Sequence, residues 1–557
     1  MRLLLVPAFV GSLIAIMLCA ALLLFVAEAR AGSILNEGEE IYRYGRLASG
    51  KPIGALREAG VRIEGRGAAC INCHRRSGLG SREGFISIPP ITGRYLFHPR
   101  AASGEDNYLP FVESMRADRV PYSDATLARA IREGLNSADK PFNYLMPHFE
   151  LNDAEMAALT SYLKSLDQRK LPGVTDTVLH FATVITPDAD PVKAHGMLDV
   201  LEHFFADKNA FPLGATPRLH SSRKMMFMVN RRWQLHVWRL HGSSATWQAQ
   251  LEQRFAREPV LAVISGLAGK TWEPVHAFCE HSAVPCLFPN VDAPPADADH
   301  DFYSLYLSMG VGMEAELIAN RILVSDNDKV SKVMQIYRAG DSGEAGAKAL
   351  EAALQAHGIA LRSHVLPAGK PGHGVARVLR SAAKSDVVVL WLRPADIAAL
   401  GKAPAKLPEV YMSGLMGGLE QAPLPSGWRM HTGIAYPFAL PAERRVSVDF
   451  AMGWFSIRHI SVVAEQVQAD TYLACGLLAE TLKHMADTFV PEYLVERVED
   501  GIGHRIVTGY YPRLTLGTGQ RFASKGGYIV HFSEPQGSRV SADGDWQVPS
   551  FSALNER

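Results

Sequence analysis

The chain has 557 residues, 47% of them apolar and 20% charged, with 57 Lys+Arg set against 57 Asp+Glu. At about 100–200 residues per domain this length allows roughly three to four folding units. The composition excludes a largely disordered chain, a fibrous repeat and a polytopic membrane protein, and the zero net charge gives no reason to expect a nucleic-acid partner. The 6 cysteines are too few for a disulfide scaffold, so their positions matter more than their number.

At the N-terminus Arg2 is followed by an uncharged run from Leu3 to Ala27 and then by Ala29-Arg30-Ala31 before Gly32. A basic start, an apolar stretch and a small-x-small site predict a secretory signal over residues 1–31, cleaved after Ala31. The apolar run is long enough to serve instead as an uncleaved inner-membrane anchor through residues 3–27. Either way the remainder is expected to be periplasmic and exposed to oxidants.

Cys70-Ile71-Asn72-Cys73-His74 carries the chemistry. Two thiols three positions apart, with an imidazole directly after the second, suit covalent haem attachment: each thiol adds to a vinyl group, and the short turn places His74 under the iron. For 6 Cys and 20 His in 557 residues, random placement gives about 0.002 such motifs. A structural zinc site needs a second ligand pair, yet no cysteine follows Cys73 until Cys279. A thioredoxin-type pair needs a βαβ context, and a simple disulfide leaves His74 unexplained. The reading is one haem c, bound through Cys70, Cys73 and His74.

Asn36–Gly45 reads as a short first helix, and Ser77-Gly78-Leu79-Gly80 as a turn that lets backbone approach a flat macrocycle. The glycines do not have dinucleotide-fingerprint spacing. Ser123 can cap a helix with Leu127, Ala130, Ile131 and Leu135 on its apolar face. Asn152 with Glu155 makes a capping box that opens a helix carrying Met156, Leu159, Leu163 and Leu166, stopped by Pro172. Between these helices lies Tyr144-Leu145-Met146-Pro147-His148. First helix, CxxCH, Met-Pro loop and terminal helix together resemble class I c-type cytochromes over residues 34–168. That resemblance implies an all-α domain, here residues 33–171, with Cys70 and Cys73 as thioether anchors, His74 as proximal ligand and Met146 as distal ligand. His148 and His98 are the alternatives to Met146. A filled sixth site favours electron transfer over oxygen or peroxide chemistry.

From about Thr177 strands and helices alternate. Val178–Ile185, Leu235–Leu240, Val260–Ser265 and Val284–Phe288 read as strands of a first lobe, with helices over His195–Phe205 and Thr246–Arg257. Val333–Arg338, Val387–Leu392 and Val410–Met412 read as strands of a second lobe, with a helix over Ala345–His357. Such alternation implies parallel sheets covered by helices. Two α/β lobes in an exported chain resemble type I periplasmic substrate-binding proteins of the branched-chain amino-acid-binding kind over residues 177–540. The domain is placed at 176–545 after a linker near Leu171–Thr175, and the helix Asp470–His484 is expected to return to the first lobe.

The resemblance implies a small ligand held between the lobes by hinge closure. Where the family offers a Ser or Thr hydroxyl and backbone amides to a carboxylate, this chain has Gly266-Leu267-Ala268-Gly269-Lys270-Thr271-Trp272. Lys270 and Thr271 can serve an anion and Trp272 can line the cleft; the alternative is that Trp272 packs in the core and Lys270 is solvated. Gly340-Asp341-Ser342-Gly343 lacks the context of a serine-protease loop. His276 and His281 are badly placed around a helix for one metal ion. Cys279 and Cys286 read as a disulfide in an oxidising compartment, and Cys475 as a buried thiol.

The fold class is therefore multidomain, an all-α cytochrome c domain followed by a bilobal α/β domain of the periplasmic-binding-protein type I kind. The expected function is electron transfer with redox partner proteins, the second module docking a partner or sensing a small molecule. Two alternatives remain: a ligand receptor in which haem is secondary, and a haem enzyme or dehydrogenase subunit. No catalytic residue is assigned. Contact with a membrane is expected only if the N-terminal segment stays uncleaved.

Overall fold

The structure, a computed structural model, describes residues 32–83, 86–98, 120–166, 168, 171–210, 231–295, 298–324, 332–382, 385–403, 408–485, 488–505 and 507–549. The expected signal or anchor over residues 1–31 lies outside them. Among the described residues no helix is long and apolar enough to cross a membrane. The chain divides into two compact units, Met1–Lys170 and Leu171–Arg557.

In the first unit a helix over 32–39 widens into the turn Glu40–Tyr44 and stops at Gly45, whose φ of 63° suits glycine. It crosses the helix Asp153–Ser165 closely: a Cβ on Gly38 would lie 2.2 Å from the Ala158 carbonyl oxygen. Tyr42 and Tyr162 meet there with ring centroids 5.3 Å apart. Both expected caps form. Ser123 closes a box with Thr126 at the helix Asp124–Glu133, and Asn152 closes one with Glu155.

The unit is not all-α. Short strands β1 (Gly54–Leu56), β2 (Arg62–Glu64), β3 (Ser81–Glu83), β4 (Ile86–Ile88) and β5 (His148–Phe149) form a three-stranded sheet β2-β1-β5 and the hairpin β3-β4. These Gly- and Pro-flanked segments are too short to nucleate helix, and pairing satisfies their backbone groups instead.

The second unit holds two sheets. The first lobe orders β10-β9-β8-β6-β7, from β6 (Val178–Ile185), β7 (Arg232–Arg239), β8 (Ala262–Ile264), β9 (Cys286–Leu287) and β10 (Ser304–Leu305), all parallel. The second lobe orders β12-β11-β13-β14-β15-β16-β17, from β11 (Val333–Arg338), β12 (Leu361–Leu366), β13 (Val387–Trp391), β14 (Glu409–Ser413), β15 (Thr432–Tyr436), β16 (Tyr528–Phe532) and β17 (Val540–Ala542). Its first five strands are parallel, but β16 and β17 run antiparallel, which the βαβ reading did not anticipate. β16 arrives from an excursion into the first lobe and not from a crossover helix, so nothing constrains it to be parallel. The continuous apolar run Val387–Trp391 is buried at every position, as a strand covered on both faces must be.

The chain passes between lobes repeatedly. Two crossing segments run side by side: Tyr306 N–H donates to the Arg521 carbonyl (2.8 Å), and Ser524 N–H donates to the Leu307 carbonyl (2.8 Å). The helix Glu465–Met485 returns to the first lobe, where the Thr471 hydroxyl meets that of Ser265 at 3.1 Å.

Cys279 and Cys286 are not joined. Both are buried thiols in the first lobe's apolar cluster, and burial together with the neighbouring Cys286 thiol holds Cys279 well above the usual range, in the protonated form. Cys475 is likewise a buried thiol.

Glu314, on the helix Val311–Val324, is 0% exposed and accepts from the Leu415 N–H (2.8 Å) and the Ser413 hydroxyl. Burial pushes its pKa up to about 8 despite these donors. The folded state therefore binds the proton more tightly than the unfolded chain, whose Glu titrates near about 4.3. Stability from this group is complete below the unfolded value and is lost as pH rises through about 8. Melting temperatures across pH 5–9 should fall more steeply in the wild type than in Glu314→Gln. Parallel curves would remove Glu314 from the pH response.

Candidate functional site

Cys70 sits at the N-cap of the single helical turn Ile71–His74, and the Cys73 and His74 N–H groups donate to its carbonyl at 3.3 and 2.9 Å. The i, i+3 spacing puts both cysteines on one face of that turn. Neither is in a disulfide. Burial pushes the Cys70 thiol up to about 12. His74 is 6% exposed, and its Nδ1 donates to the Pro89 carbonyl oxygen at 3.0 Å. That bond fixes the tautomer and leaves Nε2 as the basic nitrogen. Burial lowers the His74 pKa to about 4 against the pull of the Pro89 carbonyl, so the ring is neutral, as ligation requires.

The turn after the motif brings Pro89 into place. Gly80 has a φ of 81°, and a Cβ there would lie 2.1 Å from the Ile88 carbonyl oxygen. Only glycine lets the 77–80 turn press against the end of β4, which Pro89 follows. Tyr42 fastens the other side, its hydroxyl donating to the Arg75 carbonyl at 2.7 Å. Met146 lies in a turn whose N–H bonds the Asn143 carbonyl (3.0 Å), and it borders the same apolar cluster as Cys70 and Ile71. His98 is exposed at the end of the helix Gly93–Phe97, and exposed His148 packs its ring against Gly134.

In the second unit a cavity of about 530 Å³ opens between the lobes. Its walls come from the C-terminal ends of parallel strands: residues 267–270 after β8, 290–292 after β9, 338–341 after β11 and Arg393 after β13. Open parallel sheets bind ligands at this edge because loops and free helix N-termini converge there. Arg393 spans the gap, with Nη2 donating to Asp341 Oδ1 (2.8 Å) in its own lobe and Nη1 to Asp292 Oδ2 (2.7 Å) across it. Burial alone would raise Asp341, but the Arg393 hydrogen bonds and charge hold it below the usual carboxylate range. Arg338 is paired with Asp396 at 3.0 Å through Nε.

Comparison with known proteins addresses the first unit directly. Residues 66–167 match the cytochrome c family model. No curated protein matches the chain. Solved structures similar to it include a leucine-binding protein from Thermotoga maritima (10% identity, 66% of this chain and 98% of that one, TM-score 0.48). A branched-chain amino-acid transporter protein from Thermus thermophilus with bound valine has 11% identity over 67% of this chain and 97% of that one, TM-score 0.49. A periplasmic substrate-binding protein from Ralstonia solanacearum has 12% identity over 66% of this chain and 100% of that one, TM-score 0.49.

Cytochrome c membership of this region implies covalently attached haem c. The residues present fit that group: two thiols on one helical face, a neutral imidazole with one nitrogen engaged and the other available, and a thioether on the adjoining cluster. The cleft expectation needs correction. Lys270 does line the cavity, but Trp272 is 1% exposed in the first lobe's core, where it packs against Gly266, and Thr271 accepts from the Glu273 N–H (3.3 Å) at a helix start and is not among the lining residues. Packing of an indole into the helix–sheet interface outweighs any gain from exposing it to a wet cleft. The sequence reading missed Asp292, Arg338, Asp341, Arg393 and Asp470. Asp341 and Ser342 lie in the GDSG stretch set aside as a protease loop, and their position at the end of a buried strand was the available signal.

Proposed function

We propose that this chain is an exported electron-transfer protein carrying one haem c on Cys70 and Cys73. His74 and Met146 would hold its iron, and the α/β unit docks a redox partner or senses a small molecule. When bound, the haem supplies one-electron cycling between ferric and ferrous iron. The observation that carries the reading is the buried, neutral His74 with Nδ1 committed to Pro89, directly after two cysteines on one turn. Pro89 orients the imidazole and strengthens its donation, and the surrounding cluster excludes water. Met146, a soft thioether on a short turn, would be the second residue to hold the iron, a donor that favours a higher potential than a second histidine would. The Arg393 bridge between Asp292 and Asp341 supports a cleft whose closure is stabilised by charge pairs across it.

Carbon monoxide tests the ligation. Reduced wild-type protein is expected to show no rapid spectral change under the gas, whereas reduced Met146→Ala binds it promptly. Rapid binding by the wild type would overturn the Met146 assignment and favour a haem enzyme.

A further inference from the structure

The charges that wall the interlobe cavity are mostly answered within the protein. Arg338 is held by Asp396, and Arg393 by Asp341 and Asp292. Asp190 caps the helix Pro191–Ala210 by accepting from the Val192 and Lys193 N–H groups, and Asp188 accepts from the Thr186 hydroxyl. Exposed Lys270 sits close enough to Asp341 to help hold its charge.

One lining carboxylate stands apart. Asp470, in the second turn of the helix Glu465–Met485, is 4% exposed, and its Oδ1 is buried without a hydrogen-bond partner. Gln466 supports the group from one turn earlier. Arg444, whose charge acts on it, is occupied by Glu420 and the Ala439 carbonyl. A buried carboxylate left this way is costly unless something brings it a donor or a positive charge.

We propose that Asp470 is the anchoring carboxylate for a small protonated amine bound between the lobes. The proposal rests on reading the cleft as a ligand site and names its ligand class. An ammonium in the cavity supplies a counter-charge to the lining Asp470 carboxylate. An anion would face an unanswered carboxylate. The hydroxyl just after β8, that of Ser265, does not line the cavity and is taken by Thr471 (3.1 Å) and the Asn290 amide (2.8 Å). A bound metal ion is disfavoured, because no cluster of three or more metal-ligating side chains occurs among the described residues. Burial pushes the Asp470 pKa up to about 7 against the opposing pull of Gln466 and Arg444.

The test uses full-length, haem-loaded protein and calorimetric titration with three probes of one shape: cyclohexylamine, cyclohexanol and cyclohexanecarboxylate. The amine is expected to bind about 10- to 100-fold more tightly than the alcohol, the range of a charge-assisted hydrogen bond, and the carboxylate not at all. Asp470→Asn should erase the preference for the amine while its Trp-fluorescence melting transition stays cooperative. Equal amine affinity in wild type and Asp470→Asn overturns the proposal, as does preferred binding of the carboxylate or no heat from the amine. Ala339→Phe, which fills the cavity wall, separates the two levels of the reading. If a probe binds and Ala339→Phe abolishes it regardless of Asp470, the cleft stands and the amine assignment falls. If Ala339→Phe leaves probe binding intact, the cleft reading itself falls.

Discussion

Replacing both Cys70 and Cys73 with alanine is expected to yield a colourless protein at the mass of the bare chain, even from a host able to mature c-type cytochromes. The two thiols are the only covalent tethers the motif provides, and His74 alone offers a single reversible bond. Loss should extend beyond colour. Cys70, Ile71 and Met146 border the first unit's apolar cluster, so removal of a large planar group there would leave apolar surface uncovered. The helical signal of that unit is expected to weaken. Fluorescence unfolding should be unmoved, because all 8 Trp lie between Trp233 and Trp546. A coloured double variant at haem-bearing mass would contradict attachment at these cysteines.

The second large effect is structural. Asp396→Ala is expected to destabilise the second unit by about 3–5 kcal/mol, the cost of breaking a buried ion pair by removing one partner. Asp396 is 2% exposed and receives Arg338 through both Nε and Nη2, and its Oδ1 also accepts from the Gly372 N–H (2.6 Å). It thus ties the end of β11 and the loop at Gly372 to the helix Pro394–Ala398. Without it the Arg338 guanidinium, 8% exposed, keeps its charge with no carboxylate to face. Against a typical domain stability of about 5–15 kcal/mol this is a major loss. Trp fluorescence in urea should show an earlier transition, with the Soret spectrum unchanged. The double replacement Arg338→Met/Asp396→Leu should recover most of it, since an apolar pair of similar volume requires no desolvation of charge. A midpoint within error of the wild type for Asp396→Ala would show that solvent reaches and answers Arg338.

Much of the fold was legible because its signals are local. Val178–Ile185 and Val333–Arg338 are strands over the expected residues, since continuous apolar runs of this length bounded by turns have few other outcomes. The caps at Ser123 and Asn152 form as read, each depending on residues three apart. The small sheet of the first unit was not legible. Its three strands have two or three residues each, and β5 pairs with β1 from far along the chain. Trp272 was misplaced for a related reason: an indole before a helix reads equally well as pocket wall or core, and only the position of Gly266 beneath it decides.

The sequence by itself carried the expectation of haem c, because the motif that implies it lies within one helical turn. It also determined the alternation of strands and helices that makes the second unit. Tertiary structure alone decided what the cleft offers. Asp292, Arg393 and Asp470 lie far apart along the chain, and each is unremarkable among its own neighbours. Their meaning arises only when strand ends from two sheets and one returning helix converge on the same 530 Å³, leaving two aspartates sharing an arginine and a third with one oxygen lacking a hydrogen-bond partner.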